Sequence, residues 1–246
     1  MSILVQREFT VAGADRARFE ELSRTGVWPT MLRYGSLMVG FGSWAFGGDG
    51  DVVVTHSIYR DMDHWRGTRA GGELEADPAI REEAAAFEGA KSARPAIIAH
   101  SRARMIDLDD HVSPLSPAPR APGDPLPDPA ANHGRGSIIS ELCYSLVSDE
   151  ARTEFRRISH EAIWPWLETQ GGRLIGFGRD PLGPSNEVVT LFAFRSLSEW
   201  HQLSRPTAEL DPPHETAAAS NTRHRLITSQ RGRLLVVGTD WGAAAS

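Results

Sequence analysis

Five side chains of the kind that move protons or grip anions fall in segments that read as strands. Arg7 and Glu8 lie in Ile3 to Val11, Tyr59 closes Asp51 to Tyr59, and Glu141 and Tyr144 lie in Ile138 to Val147. A carboxylate or phenol becomes a general acid or base when burial moves its pKa, and a guanidinium orients an anion. Alternation along the strand puts Val53, Thr55, Ser57 and Tyr59 on one face, with Val188, Thr190, Phe192 and Phe194 at the matching places. That mixed aromatic and hydroxyl face is expected to line a cavity, with Thr55, Ser57, Thr190, Phe192 and Phe194 as ligand contacts. Trp44, on a strand beside glycines, is expected to join them. The opposite face, Val52, Val54, His56 and Ile58 with Val189, Leu191 and Ala193, has the aliphatic character that suits packing under helices. A lone charge on a strand is ordinarily solvated or paired at a rim, so the chemistry requires these groups to point inward.

Other chemistries lack their patterns. His56 sits among aliphatics as a core histidine would, His160 beside Glu161 reads as a surface residue, and His64, His201, His214 and His224 show no metal-ligand spacing. No metal site is expected. Cys143 stands alone, which excludes an intrachain disulfide, and it reads as a small buried residue in a reducing compartment. There is no nucleophile elbow or phosphate loop, and Gly40-Phe41-Gly42 lacks the third glycine of a dinucleotide fingerprint. A net charge of −6 without a basic run argues against nucleic acid. No apolar run is long enough for a membrane span, and strand-like sequence begins at Ile3, so a cytoplasmic location is expected.

The elements that must position these residues occur twice. Val27-Trp28-Pro29, Gly35 and Val39-Gly40-Phe41-Gly42 return 136 positions later as Ile163-Trp164-Pro165, Gly171 and Ile175-Gly176-Phe177-Gly178. After the glycines the shift is 135, aligning Val53 with Val188, Arg60 with Arg195 and Trp65 with Trp200; near the ends it is close to 128, aligning Ser101 to Met105 with Ser229 to Leu234. Carried at 136 into the first strand, the copies disagree at Arg7 against Cys143, Glu8 against Tyr144 and Val5 against Glu141, and function is expected where they disagree. The two units, 1–108 and 136–246, are separated by a stretch, 109–135, whose seven prolines read as an extended tether. Within each, a strand leads into a helix that Pro29 or Pro165 should bend and that Gly35 or Gly171 should stop. A hairpin, short helices (one of them at Pro78 to Ala90) and a last strand follow. That order is the split β-α-β plan of ferredoxin-like domains, which leaves one sheet face in need of a partner.

Each unit resembles a NIPSNAP-type domain of the dimeric α+β barrel superfamily. The family's Tyr-Glu-Leu-Arg opening is partly kept by Arg7 and by Glu141-Leu142, its Asn-Glu-Val-Val-His strand is matched by Asn186 to Val189, and its closing Ser-x-x-Arg-Leu by Ser229 to Leu234. Thr55 and Thr190 stand where the family has histidine. The resemblance implies an α+β fold in which two tandem ferredoxin-like domains pack sheet to sheet as an intramolecular barrel, with the face bearing Thr55, Ser57 and Tyr59 inside. It further implies a small-molecule enzyme with no cofactor, acting on an apolar or aromatic metabolite by proton transfer, cyclisation or oxygenation. Glu8, Glu141, Tyr144, Tyr59 and Arg7 would be the catalytic groups. The alternatives are a non-catalytic binding module and a haem-binding barrel using His56, His160 or His224. The expected partner is a small-molecule ligand, and a homodimer of the whole chain stays open.

Overall fold

A computed structural model of the chain describes residues 1–70, 81–115, 117, 134–204 and 212–238. The first half supplies β1 (Ile3–Val11), β2 (Leu37–Phe46), β3 (Val52–Tyr59) and β4 (Ile98–Leu108). The second supplies β5 (Ile138–Leu146), β6 (Arg173–Arg179), β7 (Glu187–Phe194) and β8 (Ile227–Val237). All eight close into one antiparallel barrel in the order β1-β3-β2-β8-β5-β7-β6-β4. Each half keeps its first strand central, and the halves join at two seams, β2 with β8 and β4 with β6. Closure leaves no unpaired sheet edge. Because neighbours alternate in direction around the ring, β1 and β5 run the same way, so equivalent residues of the two halves approach the same barrel mouth.

The repeated residues are one packing unit. Phe19, Trp28 and Phe41 meet between helices and sheet, with Trp28 4.9 Å from Phe41 edge to face, and Phe155, Trp164 and Phe177 repeat the arrangement at 5.3 Å. The helix stays continuous through the prolines but changes form just before them: α-helix at Arg16–Leu22 passes through a π-helical turn, Ser23–Val27, and goes on as α-helix at Trp28–Arg33, with the copy doing the same around Ser159–Ile163. Proline gives no donor to the helix, and the wider π-helical turn before it is where the hydrogen-bond ladder adjusts. Gly35 and Gly171 end these helices at φ 85° and 99°. Gly42 and Gly178 lie at the seams, where a Cβ would collide with the carbonyl oxygens of Val236 and Asp107 in the strand of the other half. The doubled Gly-Phe-Gly is thus half an aromatic knob and half a seam requirement.

Two expectations are reversed. First, the barrel interior is the aliphatic face. Val52, Val54 and Ile58 pack with Ile139, Val189, Leu191 and Leu235 in one cluster, together with Leu4, Val39, Ile106 and Trp44. Val53 instead faces the helices with Phe9, Phe19 and Trp28, and Thr55, Ser57 and Tyr59 point the same way. Every residue of β3 and of β7 is buried, so apolar character could not tell an inner from an outer face. Second, the first strands are equivalent at a shift of 135. Gln6 pairs with His56 as Glu141 pairs with Leu191, and Arg7 pairs with Thr55 as Leu142 pairs with Thr190. The true counterparts are therefore Arg7 and Leu142, Glu8 and Cys143, Gln6 and Glu141. A slip of one residue exchanges the two faces of a strand.

The connection from β4 to β5, between the halves, starts in the described residues. Asp109 donates to the Phe177 carbonyl and is paired with Arg156 at 2.9 Å, and Leu115 packs against the barrel core. Residues 116 and 118–133 of the proline-rich tether, and the beginning of the helix expected at Pro78, lie outside the described residues; that helix is seen as Arg81–Ala93.

Candidate functional site

The residues named from the sequence divide between two places. Glu8, Glu141 and Trp44 are inside the barrel; Arg7, Thr55, Ser57 and Tyr59 lie outside it, under the first-half helices; Tyr144, Thr190, Phe192 and Phe194 lie on the corresponding outer face of the second half.

Inside the barrel, at the mouth reached by the C-terminal end of β1, the side chains form a continuous ionic network. Arg233 donates to Glu8 at 2.9 Å, to Gln6 at 2.6 Å and to Glu141 at 2.7 Å, and its guanidinium lies 4.3 Å from the Trp44 ring centre. Its counterpart Arg104 donates to Glu141 and Asp180, each at 2.9 Å. Trp44 Nε1 adds a bond to Glu8 at 3.1 Å, and Arg102 a second cation. The Gln6 amide donates to Glu141 at 2.6 Å and lies 2.7 Å from His56 Nε2, which it leaves as an acceptor. His56 is therefore neutral, with its proton on Nδ1, and Nδ1 has no partner among the described residues. Burial, assisted by Arg233 and Arg104 against the opposing pull of Glu141, holds the imidazole down to about 4. Burial pushes the Glu141 carboxyl up, but the guanidiniums of Arg233 and Arg104 outweigh it and keep the group below the usual carboxylate range. Glu8 and Glu141 are thus bound in a lock between halves, each with its oxygens already taken. The Glu141 carboxyl, held in its charged form, is a poor proton acceptor. Cys143 sits in the same mouth with its thiol pushed up by burial and by Glu141.

Outside the barrel the first half holds a cleft of about 610 Å³ between the sheet and the helices. Its floor is Val5, Arg7, Phe9, Thr55, Ser57 and Tyr59, brought together because Arg7 registers with Thr55, Val5 with Ser57 and Ile3 with Tyr59. Trp28, Met31 and Phe87 come from the helices, and Arg94, His100 and Ser101 from the approach to β4 and its first turns. The volume is that of an ordinary small-molecule site, apolar with a few polar groups. Its described lining includes Arg7, Lys91 and Arg94 and no Asp or Glu. Lys91 is engaged at the rim by Glu88 at 3.2 Å. Sequence reasoning missed Phe87, Arg94 and His100 here, which reach the cleft from helix and strand ends whose facing no periodicity reveals; Phe9, which alternation puts on the Arg7 face of β1, was not named as a lining residue. The same reasoning also missed Gln6, Arg104 and Arg233 inside the barrel, although the doubled Arg-x-Arg of β4 and β8 was the available signal.

The corresponding space of the second half is occupied. Phe192 and Phe194, at the places of Ser57 and Tyr59, stack with ring centres 6.1 Å apart in one cluster with Tyr144, Leu174 and Leu203. Burial pushes the Tyr144 phenol up. His56, His160 and His224 all lie outside the cleft lining.

No family model and no curated protein matches the chain. Solved structures do. A protein of Lactobacillus acidophilus described as a "putative monooxygenase" is 11% identical, with 98% of this chain and 97% of that chain covered, at a TM-score of 0.61. One of the same description from Fusobacterium nucleatum is 15% identical over 98% and 97%, at a TM-score of 0.58. A NIPSNAP family protein of Agrobacterium tumefaciens is 22% identical and covers 43% of this chain and 89% of its own, at a TM-score of 0.36. The fold is that of the dimeric α+β barrels, with both sheets supplied by one polypeptide. The solved structures similar to the chain include NIPSNAP family proteins and barrels described as monooxygenases.

Proposed function

We propose that this protein is a small-molecule enzyme that takes an apolar or aromatic metabolite into the first-half cleft and acts on it without a cofactor, by proton transfer, cyclisation or oxygenation. The observation that carries the reading is the cleft of about 610 Å³ with an aromatic wall and a polar floor. These three reactions share one requirement, a delocalised anion formed when the substrate loses a proton from an acidic O–H or C–H. Guanidinium groups placed beside such an anion lower the cost of forming it, and more so where water is excluded. Arg7 fills that role. Ser57, Thr55 and Tyr59 offer hydroxyls that orient the ring, and His100 at the rim supplies an imidazole able to take the proton. The fold likeness to barrels described as monooxygenases favours oxygenation, in which the anion itself reduces dioxygen.

The test uses hydroxynaphthalenes and hydroxyanthracenes as a panel, with dioxygen uptake and the absorbance spectrum as readouts. Ser57→Phe places in the cleft the side chain that fills the second half. It should cut turnover of any accepted substrate by about a hundredfold or more, which is the loss of roughly 2.7 kcal/mol, and leave thermal stability nearly unchanged. Turnover that survives Ser57→Phe removes the cleft from the mechanism. Stoichiometric binding with no chemical change would instead select the non-catalytic binding module.

A further inference from the structure

The ionic mouth of the barrel is laid out twice and filled once. In the first half the indole of Trp44 lies over the Arg233 guanidinium, 4.3 Å from the ring centre, and its Nε1 donates to the buried Glu8 carboxylate at 3.1 Å. Arg104 is the counterpart of Arg233, because Arg104 pairs with Gln6 as Arg233 pairs with Glu141. Asp180 is the counterpart of Trp44, two positions beyond Gly178 as Trp44 is two beyond Gly42. Aspartate leaves room where tryptophan fills it. A pocket of about 350 Å³ lies at this place, with Arg104, Cys143, Asp180, Gly183, Glu187 and Arg231 in its lining.

The donors of Arg104 are engaged at the edge of its guanidinium: Nε donates to Asp180 at 2.9 Å, Nη1 to Glu141 at 2.9 Å and Nη2 to Glu187 at 3.4 Å. These bonds fix the plane, and no aromatic ring covers its face among the described residues. A guanidinium held in this way is a platform for a flat π-system. The carboxylate that such a ring would address also differs between the halves. Cys143 stands at the place of Glu8, and the acceptor comes instead from Glu187 at the start of β7. Glu187 is 3% exposed; its Oε1 accepts from Arg231 at 2.7 Å and from Arg104, while its Oε2 has no partner among the described residues.

We infer that this mouth pocket binds a planar heteroaromatic with a ring N–H, of about the size of an indole, stacked on Arg104 and donating to Glu187 Oε2. The ligand does for Arg104 and Glu187 what the Trp44 side chain does for Arg233 and Glu8. The stacking supplies the ring selectivity, and the N–H selects among rings of one shape, because an ion-paired carboxylate can only accept. The site lies inside the barrel, across its wall from the first-half cleft, and does not depend on what that cleft takes.

The experiment is a ligand-observed NMR titration of the full chain with indole and with benzofuran, which keeps the ring shape and lacks the N–H. It is run on wild type, Asp180→Trp, Glu187→Gln and Ser57→Phe. Wild type should bind indole about tenfold more tightly than benzofuran, the worth of one hydrogen bond to an ion-paired carboxylate. Asp180→Trp gives the second half the first half's side chain and should abolish the binding of both. Glu187→Gln should shrink the preference to about threefold or less, since a neutral amide is the weaker acceptor. Ser57→Phe, which fills the cleft, should leave both affinities as they were. Failure of indole to bind wild type, binding that survives Asp180→Trp, or binding lost in Ser57→Phe overturns the mouth pocket as the site. Equal affinities in wild type, or a full preference in Glu187→Gln, overturn the N–H contact and the ligand class with it. Should Asp180→Trp lose its cooperative melt, Asp180→Phe takes its place, with the same loss of binding expected and the same overturning result.

Discussion

The two helix-covered faces of the barrel are laid out alike and end differently. Trp28, Thr55 and Arg94 recur as Trp164, Thr190 and Arg223, and the aromatic trio beneath each helix pair repeats to within half an ångström in its Trp–Phe spacing, 4.9 against 5.3 Å. Where Arg7, Ser57 and Tyr59 leave a polar-floored cleft, Leu142, Phe192 and Phe194 complete an apolar core. The barrel interior divides by the same logic. Arg102 and Arg104 are matched by Arg231 and Arg233, but Gln6, Glu8, His56 and Trp44 stand opposite Glu141, Cys143, Leu191 and Asp180. Fusing two copies frees each half from serving both roles. One face can be packed for stability while the other stays open for a ligand, since the loss of packing in one is offset by the other.

Three changes test this division, beginning with the largest effect. Phe192→Ser gives the second half the first half's side chain in a site that is 5% exposed. It should cost about 4 kcal/mol in urea unfolding, the loss typical of a buried phenylalanine cut back to a small residue. A cost below 1 kcal/mol would mean that the second face is not the better packed one.

Next in size is the dependence of stability on acid. His56 is held at about 4 in the folded protein, against 6.5 for the free imidazole. Between these values the unfolded chain binds the extra proton, so stability is full above pH 6.5 and falls as the pH drops toward 4. The loss attributable to this group is at most about 3 kcal/mol, at 1.36 kcal/mol per unit. Glu141, whose carboxyl is lowered, adds a loss of the same sign further down, as the pH falls below the ordinary carboxylate range. His56→Leu copies Leu191 and should flatten the slope of unfolding free energy between pH 6.5 and 4. An unchanged slope would assign it to other groups.

The smallest effect is expected at Trp44→Phe. It removes the indole donor to Glu8, which keeps Arg233 and Arg102, so a loss of about 1 kcal/mol is expected in the same unfolding measurement. A loss as large as that of Phe192→Ser would show that Trp44 joins the halves mainly by packing.

Much of the architecture was legible in the chain. Trp28-Pro29 and Gly40-Phe41-Gly42, returning as Trp164-Pro165 and Gly176-Phe177-Gly178, announce two equal units because each residue meets a demand met twice, a helix with a π-helical turn, an aromatic knob or a seam without room for a Cβ. Arg7, Thr55, Ser57 and Tyr59 were also recognisable as one polar group by alternation. Their placement was not. Glu8, Glu141 and Trp44 were grouped with them, yet the barrel wall separates the two sets, and Tyr144, Phe192 and Phe194 belong to the closed face. A strand buried on both sides carries no amphipathic sign of which side is which.

The order of residues alone therefore determined the repeat, the strand and helix segments and the α+β class, because these depend on periodicity and on local turn and helix-breaking chemistry. Only the tertiary structure decided which face turned inward, the registers that pair Gln6 with Glu141 as equivalents, and the closing of one cleft beside the opening of the other. Those outcomes depend on side-chain volume and charge meeting across elements far apart in the chain, as when Arg233 reaches Glu8 and Gln6, and no spacing along the sequence encodes such a meeting.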